Sequence, residues 1–195
     1  MTHTFEILKL KVFELLRNEL PEVYYYHSFD HTENMLEVAP SYIAYEEINA
    51  KDSELLMIAI LFHDVGFIDS WKSHEIRGAK IASEYMMKHG CPSDEIQIVE
   101  NLILATQIPQ NPSDILQKII CDVDLDYLGS SDYDQRSELL YKEWLALDII
   151  KDRSDWKRKE LDFLKNQKFH TTFGLVNRQP VLNQRIASIL ANKGD

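Results

Sequence analysis

The chain has 195 residues, a formal charge of −11 at neutral pH, and 45% hydrophobic, 27% charged and 10% aromatic residues. That mixture is average for a folded globular protein, and the length suffices for one large domain without a disulfide or structural metal. The acidic balance excludes general binding to nucleic-acid backbones, and no apolar run approaches the ~20 residues of a membrane span.

The opening stretch MTHTFEILKLKVFELL has neither a basic region nor a cleavage site, so a cytoplasmic protein is expected. Phe5, Leu8, Val12, Leu15 and Leu16 form a helical stripe that stops before Pro21. A second helix begins after Ser28 or Asp30, carries Met35, Val38, Ala39, Tyr42 and Ile43, and should kink or break at Pro40. Asp52 is a good N-cap for LLMIAILF, which reads as a buried helix at the centre of the fold, ended by Gly66 and followed by a loop over 67–73. Ser73 caps a helix running to His89, stopped by Gly90 and Pro92, and Ser93 opens the next, to about Thr106. QIPQNP is a loop. Asn111 and Pro112 then start a helix through Ile115, Ile119, Val123 and Leu128 that ends at Gly129, with further helices near 132–150, 154–167 and 180–192.

The sum is an all-α, single-domain bundle spanning 1–195, with no repeat or flexible linker. Six glycines and six prolines are too few for a turn-rich β fold.

Charge is uneven. Residues 151–195 hold 10 Lys and Arg against 5 Asp and Glu, leaving 11 against 27 in the first 150. An acidic body can hold cations, and a basic tail can fold back over it or offer a docking surface; a solvated helix face is the simplest reading. Cys91 and Cys121 show no redox or zinc-finger spacing and read as small buried hydrophobes.

The histidines are more informative. His27 and His31, in YHSFDHT, are four apart and share a face if helical. His63 and Asp64 sit at the end of the most apolar helix, where an imidazole and a carboxylate are costly unless paired. Asp122, Asp124 and Asp126 lie in IICDVDLDYLG on another apolar helix, spread around its axis so that only one is expected to face the interior. Such groups on three separate helices suggest convergence on a cation. Imidazole nitrogen with carboxylate oxygen suits Mn, Fe, Co, Ni or Zn better than Ca, and a site with positions left for water is a hydrolytic one.

In this order the residues resemble the HD superfamily of metal-dependent phosphohydrolases, whose pattern is a His, a His-Asp doublet and a distant Asp. YHSFDHT, LFHDVGF, HEIRGAKIASEYM, LILAT and VDLDYLG carry the resemblance over about 24–130, which makes 131–195 a helical extension. YDQRSELLYKEW and FLKNQKFHTTFG resemble small stand-alone bacterial HD proteins.

The resemblance implies His31, His63, Asp64 and Asp124 as ligands of a divalent ion (Mn, Fe, Co, Ni, Zn or Mg). Asp122 is a rival for the last place, and Asp126 reads as solvated. Asp64 is implied to accept a proton or orient water as well. His27 falls where related phosphodiesterases place a proton donor, against a plain packing role. His74 matches a His-Glu near the metal or substrate. Arg77 is read as a phosphate clamp and Lys72 as a phosphate contact or a solvent-exposed lysine. His89 reads as a helix-terminal residue, and His170 as a surface residue of FHTT. With no His-His pair between the doublet and the last Asp, one metal is favoured and a second, with His74 as a ligand, is left open.

The implied activity is hydrolysis of a phosphate mono- or diester, of a nucleotide or similar small anion. A non-catalytic metal- and nucleotide-binding regulatory module is the second reading. The expected partner is a small phosphorylated molecule. No sequence feature marks a subunit interface, and a homo-oligomer is left open.

Overall fold

A computed structural model of the chain describes residues 2–191. Among them are ten α-helices and no strand: α1 (His3–Glu19), α2 (Phe29–Tyr45), α3 (Ala50–Phe62), α4 (His74–Lys88), α5 (Ser93–Ala105), α6 (Ile115–Asp124), α7 (Tyr133–Ala146), α8 (Arg153–Asn166), α9 (Thr172–Asn177) and α10 (Gln179–Ala191). Tight 3₁₀ turns follow α3 at Val65–Ile68 and α6 at Asp126–Gly129. The fold is all-α, as its composition and periodicity predict.

The centre is α3. Every residue from Leu55 to Phe62 is buried, so this helix is apolar on all sides and packs against α1, α2, α4, α5 and α6. It starts one turn before the expected Asp52 because Asn49 is the better-placed cap, its Oδ1 accepting the Asp52 N–H at 3.0 Å. It ends at Phe62, and the 65–68 turn replaces both the expected helical continuation to Gly66 and the start of the expected loop. Gly66 serves a close approach instead: a Cβ there would lie 2.0 Å from the His74 carbonyl oxygen.

α2 continues through Pro40 without the expected break. Met35, Leu36, Ala39 and Tyr42 are buried on one face, while the proline is exposed. Ser73 stands at the start of α4 in a left-handed conformation, φ 54°, and its hydroxyl makes no capping bond. Asp114, not Asn111, caps α6, accepting the Gln117 N–H at 2.9 Å. The expected long helix from Asn111 to Gly129 is therefore shorter and divided after Asp124. α9 was not expected, and the last position of the predicted final helix, 192, lies outside the described residues.

A second apolar cluster of Tyr26, Tyr127, Leu128, Tyr133, Leu164, Phe169 and Leu182 seats the later helices on the 126–129 turn. Buried ionic contacts join the two regions. Arg178 Nε meets Asp126 Oδ1 at 2.6 Å, and the Tyr42 hydroxyl donates to the same oxygen at 2.7 Å. Asp126 is thus buried and paired, not solvated as expected. Its partner comes from the basic tail, which folds back onto the acidic body here; Arg185 adds bonds to the Leu128 and Ser130 carbonyls.

No helix among the described residues is long and apolar enough to cross a membrane.

Candidate metal centre

The fully apolar α3 delivers its two polar terminal neighbours into the interior: His63 is 0% and Asp64 4% exposed. His63 Nδ1 lies 2.8 Å from the Ile60 carbonyl oxygen, which can only accept. In the neutral ring that bond puts the proton on Nδ1 and leaves the Nε2 lone pair facing inward.

Opposite stands His31 from the first turn of α2, its Nε2 3.3 Å from His63 Nε2. Asp124, the last residue of α6, brings Oδ1 to 3.2 Å from His31 Nε2 and 3.9 Å from His63 Nε2. Asp64 Oδ2 completes the cluster at 3.1 Å from His63 Nε2 and 3.7 Å from His31 Nε2.

These separations fit one cation. Ligand atoms about 2.1 Å from an ion lie about 3 Å apart at right angles and about 3.4 Å apart in a tetrahedron. The donor set, two imidazoles with carboxylates, suits a divalent transition ion. The buried Asp64 Oδ2 also has no hydrogen-bond partner among the described residues. Such an atom is costly unless something cationic meets it. His31, His63 and Asp124 by themselves form a group compact enough to hold a metal.

Without a cation the charges distort one another. Burial disfavours a charged His63, but Asp64 overcomes this and holds the imidazole up to about 9. Burial raises Asp64 in turn, and His63 more than reverses that, keeping the carboxyl below its usual range. His31 is lowered, chiefly by burial. A divalent ion would replace the proton on His63.

His74, at the start of α4, directs Nε2 to within 3.5 Å of Asp64 Oδ1 while its Nδ1 lies 2.9 Å from the Trp71 carbonyl oxygen. It borders the cluster. His27 borders the other side, its ring stacked on Phe67 at 4.3 Å.

His27 is held by a residue the sequence reading did not single out. Glu143 of α7, 1% exposed, accepts the backbone N–H groups of Tyr26 at 2.9 Å and His27 at 3.0 Å, and its other oxygen meets His27 Nδ1. Burial lowers His27, but the Glu143 charge prevails and raises it above the ordinary histidine value. Glu143 lies within the YKEW segment, yet nothing local distinguishes it from a surface helix glutamate; its partners are 116 and 117 residues away.

The expected substrate contacts sit differently. Arg77 turns back on the loop, Nε donating to the Gly66 carbonyl at 3.1 Å and Nη2 to that of Ser70. Those N–H groups shape the loop that carries Phe67. Lys72 is exposed, its ammonium 5.5 Å from the Trp71 ring centre.

Asp122 is not a rival ligand. Its carboxylate accepts the His170 N–H, the Thr171 N–H and the Thr171 hydroxyl at 2.8, 2.8 and 2.6 Å. FHTT therefore anchors on α6, with Phe169 and Thr171 buried. All three aspartates of VDLD and its flank are engaged, contrary to the expectation that one alone turns inward: Asp122 to the tail backbone, Asp124 to the cluster, Asp126 to Arg178.

An all-helical protein whose imidazoles and carboxylates meet from three elements belongs to the class that holds a divalent ion inside a helical bundle. The HD-domain family model matches residues 24–126, more than half of the chain, and the chain belongs to the HD-domain family. That places it in a superfamily of metal-dependent phosphohydrolases, and its His/Asp group can hold such a metal. No curated protein and no solved structure matches it.

Proposed function

We propose that the protein hydrolyses a phosphate mono- or diester of a nucleotide or similar small molecule. His31, His63, Asp64 and Asp124 would hold one divalent ion. Bound there, such an ion lowers the pKa of its water toward ~7 and polarises a phosphoryl oxygen.

The observation that carries the reading is the convergence of the His31 and His63 Nε2 atoms at 3.3 Å beside an Asp64 oxygen without a partner. Asp64 combines a buried position with a second oxygen toward His74, which suits it to accept a proton or orient water. Glu143 favours a charged His27 and fixes its Nδ1, so Nε2 is the atom from which a proton would reach the leaving oxygen. His74 completes the polar rim and Phe67 walls it off between the two imidazoles.

The test is metal-reconstituted protein assayed against a panel from nucleoside monophosphates through cyclic nucleotides to polyphosphorylated ones. Hydrolysis of a panel member that vanishes together with bound metal in Asp64→Ala is the expected result. Full metal occupancy in that variant, or no turnover of any phosphate ester by the wild type, contradicts the proposal.

A further inference from the structure

The chain carries a net charge of −11, so a place where cations gather without acids calls for an explanation. One lies where the basic tail meets α6. A groove of about 400 Å³ runs there, walled by Ile108 and Pro109 from the loop after α5 and by Phe163, Gln167, Lys168 and His170 from α8 and its connection to α9. That volume falls in the ordinary range of small-molecule sites. None of His31, His63, Asp64 and Asp124 lines the groove.

The walls are held in place by bonds of their own. Gln110 Nε2 donates to the Cys121 carbonyl at 3.4 Å and ties the loop to α6. After α8 the buried Phe169 donates its N–H to Gln179 Oε1 at 2.9 Å, and His170 donates its N–H to Asp122 Oδ1 at 2.8 Å. Lys168 and His170 therefore project from an anchored backbone. Lys118 stands on α6 four residues before Asp122, on the same face and one turn back, which brings it to the side of the segment docked on Asp122. Burial lowers the His170 imidazole, and the charges of Lys168 and Lys118 lower it further.

This cluster lacks counter-charge. Among the described residues no carboxylate lies within 4.0 Å of the Lys118 or Lys168 ammonium, although Lys118 is half-buried. Asp162 also lines the groove but is exposed, and the Asp122 carboxylate already accepts the His170 and Thr171 donors. Gathering like charges is unfavourable unless an anion joins them. The rest of the groove is of another kind: Ile108 is 48% exposed, and with Pro109 and Phe163 it presents an apolar shelf beside the cations.

We propose that this groove is an accessory site for a small organic phosphate with a flat body, a nucleoside monophosphate. Lys118, Lys168 and His170 take the phosphate, the lysines acting as point charges. Phe163, Ile108 and Pro109 take the base, since an aromatic face stacks any base. The site goes beyond the phosphohydrolase reading and needs no metal. Lys168, His170 and Phe163 lie outside residues 24–126, so a bound ligand would join the helical extension to the HD domain.

The experiment is isothermal titration calorimetry of AMP into the full-length chain in chelator at low ionic strength. One AMP should bind per chain, more weakly as salt is added. Lys118→Met and Lys168→Met should each weaken it about fivefold, and the two together about twentyfold, at an unchanged melting temperature. Phe163→Leu keeps the bulk without the aromatic face; it should weaken AMP about threefold and leave inorganic phosphate, the weaker ligand, unaffected. Asp64→Ala should bind AMP as the wild type does.

No AMP binding by the wild type, wild-type affinity in both lysine variants, or inorganic phosphate held as tightly as AMP overturns the site. AMP affinity that changes in Asp64→Ala and is indifferent to the lysines places the binding at the metal cluster and also overturns it. Neither metal nor turnover is read. A protein that cleaves no phosphate ester yet binds AMP through the two lysines would uphold the site and overturn the hydrolase reading.

Discussion

Replacing Glu143 by alanine removes the acceptor of two buried backbone N–H groups and the partner of His27 in one step. Each buried donor left without a partner costs about 1–3 kcal/mol, so two of them set a loss of about 4 kcal/mol. In a chain of this length 1 kcal/mol shifts the melting temperature by about 2–4 °C, which puts Glu143→Ala roughly 10 °C below the wild type. Glu143→Gln keeps an acceptor oxygen but loses the charge, and should cost only about 1–2 kcal/mol. Its pH dependence is diagnostic. His27 has a folded-state pKa raised by Glu143, so the stabilisation is complete below the ordinary histidine value and disappears as pH climbs through the raised one. Thermal melts by circular dichroism in chelator should therefore separate wild type from Glu143→Gln more widely at pH 6 than at pH 9. Equal melting of wild type and Glu143→Ala, or a gap that widens toward high pH, would refute the reasoning.

Asp126→Asn should destabilise the protein by about 3 kcal/mol in urea with an unchanged m-value, because Arg178 and the buried Tyr42 hydroxyl lose a charged acceptor. Gly78→Ala places a methyl 2.7 Å from the Phe62 carbonyl oxygen and 3.0 Å from that of His63. Overpacking there should cost about 2 kcal/mol and reduce bound metal, read by urea melts and metal analysis, since the displaced segment carries two ligands.

The sequence revealed the fold class and the converging segments for a shared reason: both are written locally. Eight apolar residues followed by His-Asp describe a buried helix with polar groups at its end, and that is how α3 and the cluster are built. Helix limits were less legible where two capping residues compete, as Asn49 and Asp52 do. The six residues of α9 are too few to show a period.

What stayed hidden depends on distant partners. Asp126 and Asp124 are alike in sequence, and only Arg178, 52 residues on, makes Asp126 a buried ion-pair member. Arg77 has the motif position for a phosphate, and no local signal announces that two of its donors go to the Gly66 and Ser70 carbonyls. Glu143 sits on an ordinary polar helix whose inward face is set by where the Tyr26–His27 backbone lies.

The claim on which the rest stands is that four side chains from three distant segments surround one divalent ion. Anomalous diffraction from crystals grown with manganese tests it most directly. The account predicts one strong peak about 2.0–2.3 Å from the Nε2 atoms of His31 and His63 and from carboxylate oxygens of Asp64 and Asp124. A peak bound elsewhere, or protein that emerges from gel filtration with no metal while these four side chains keep their places, would contradict it.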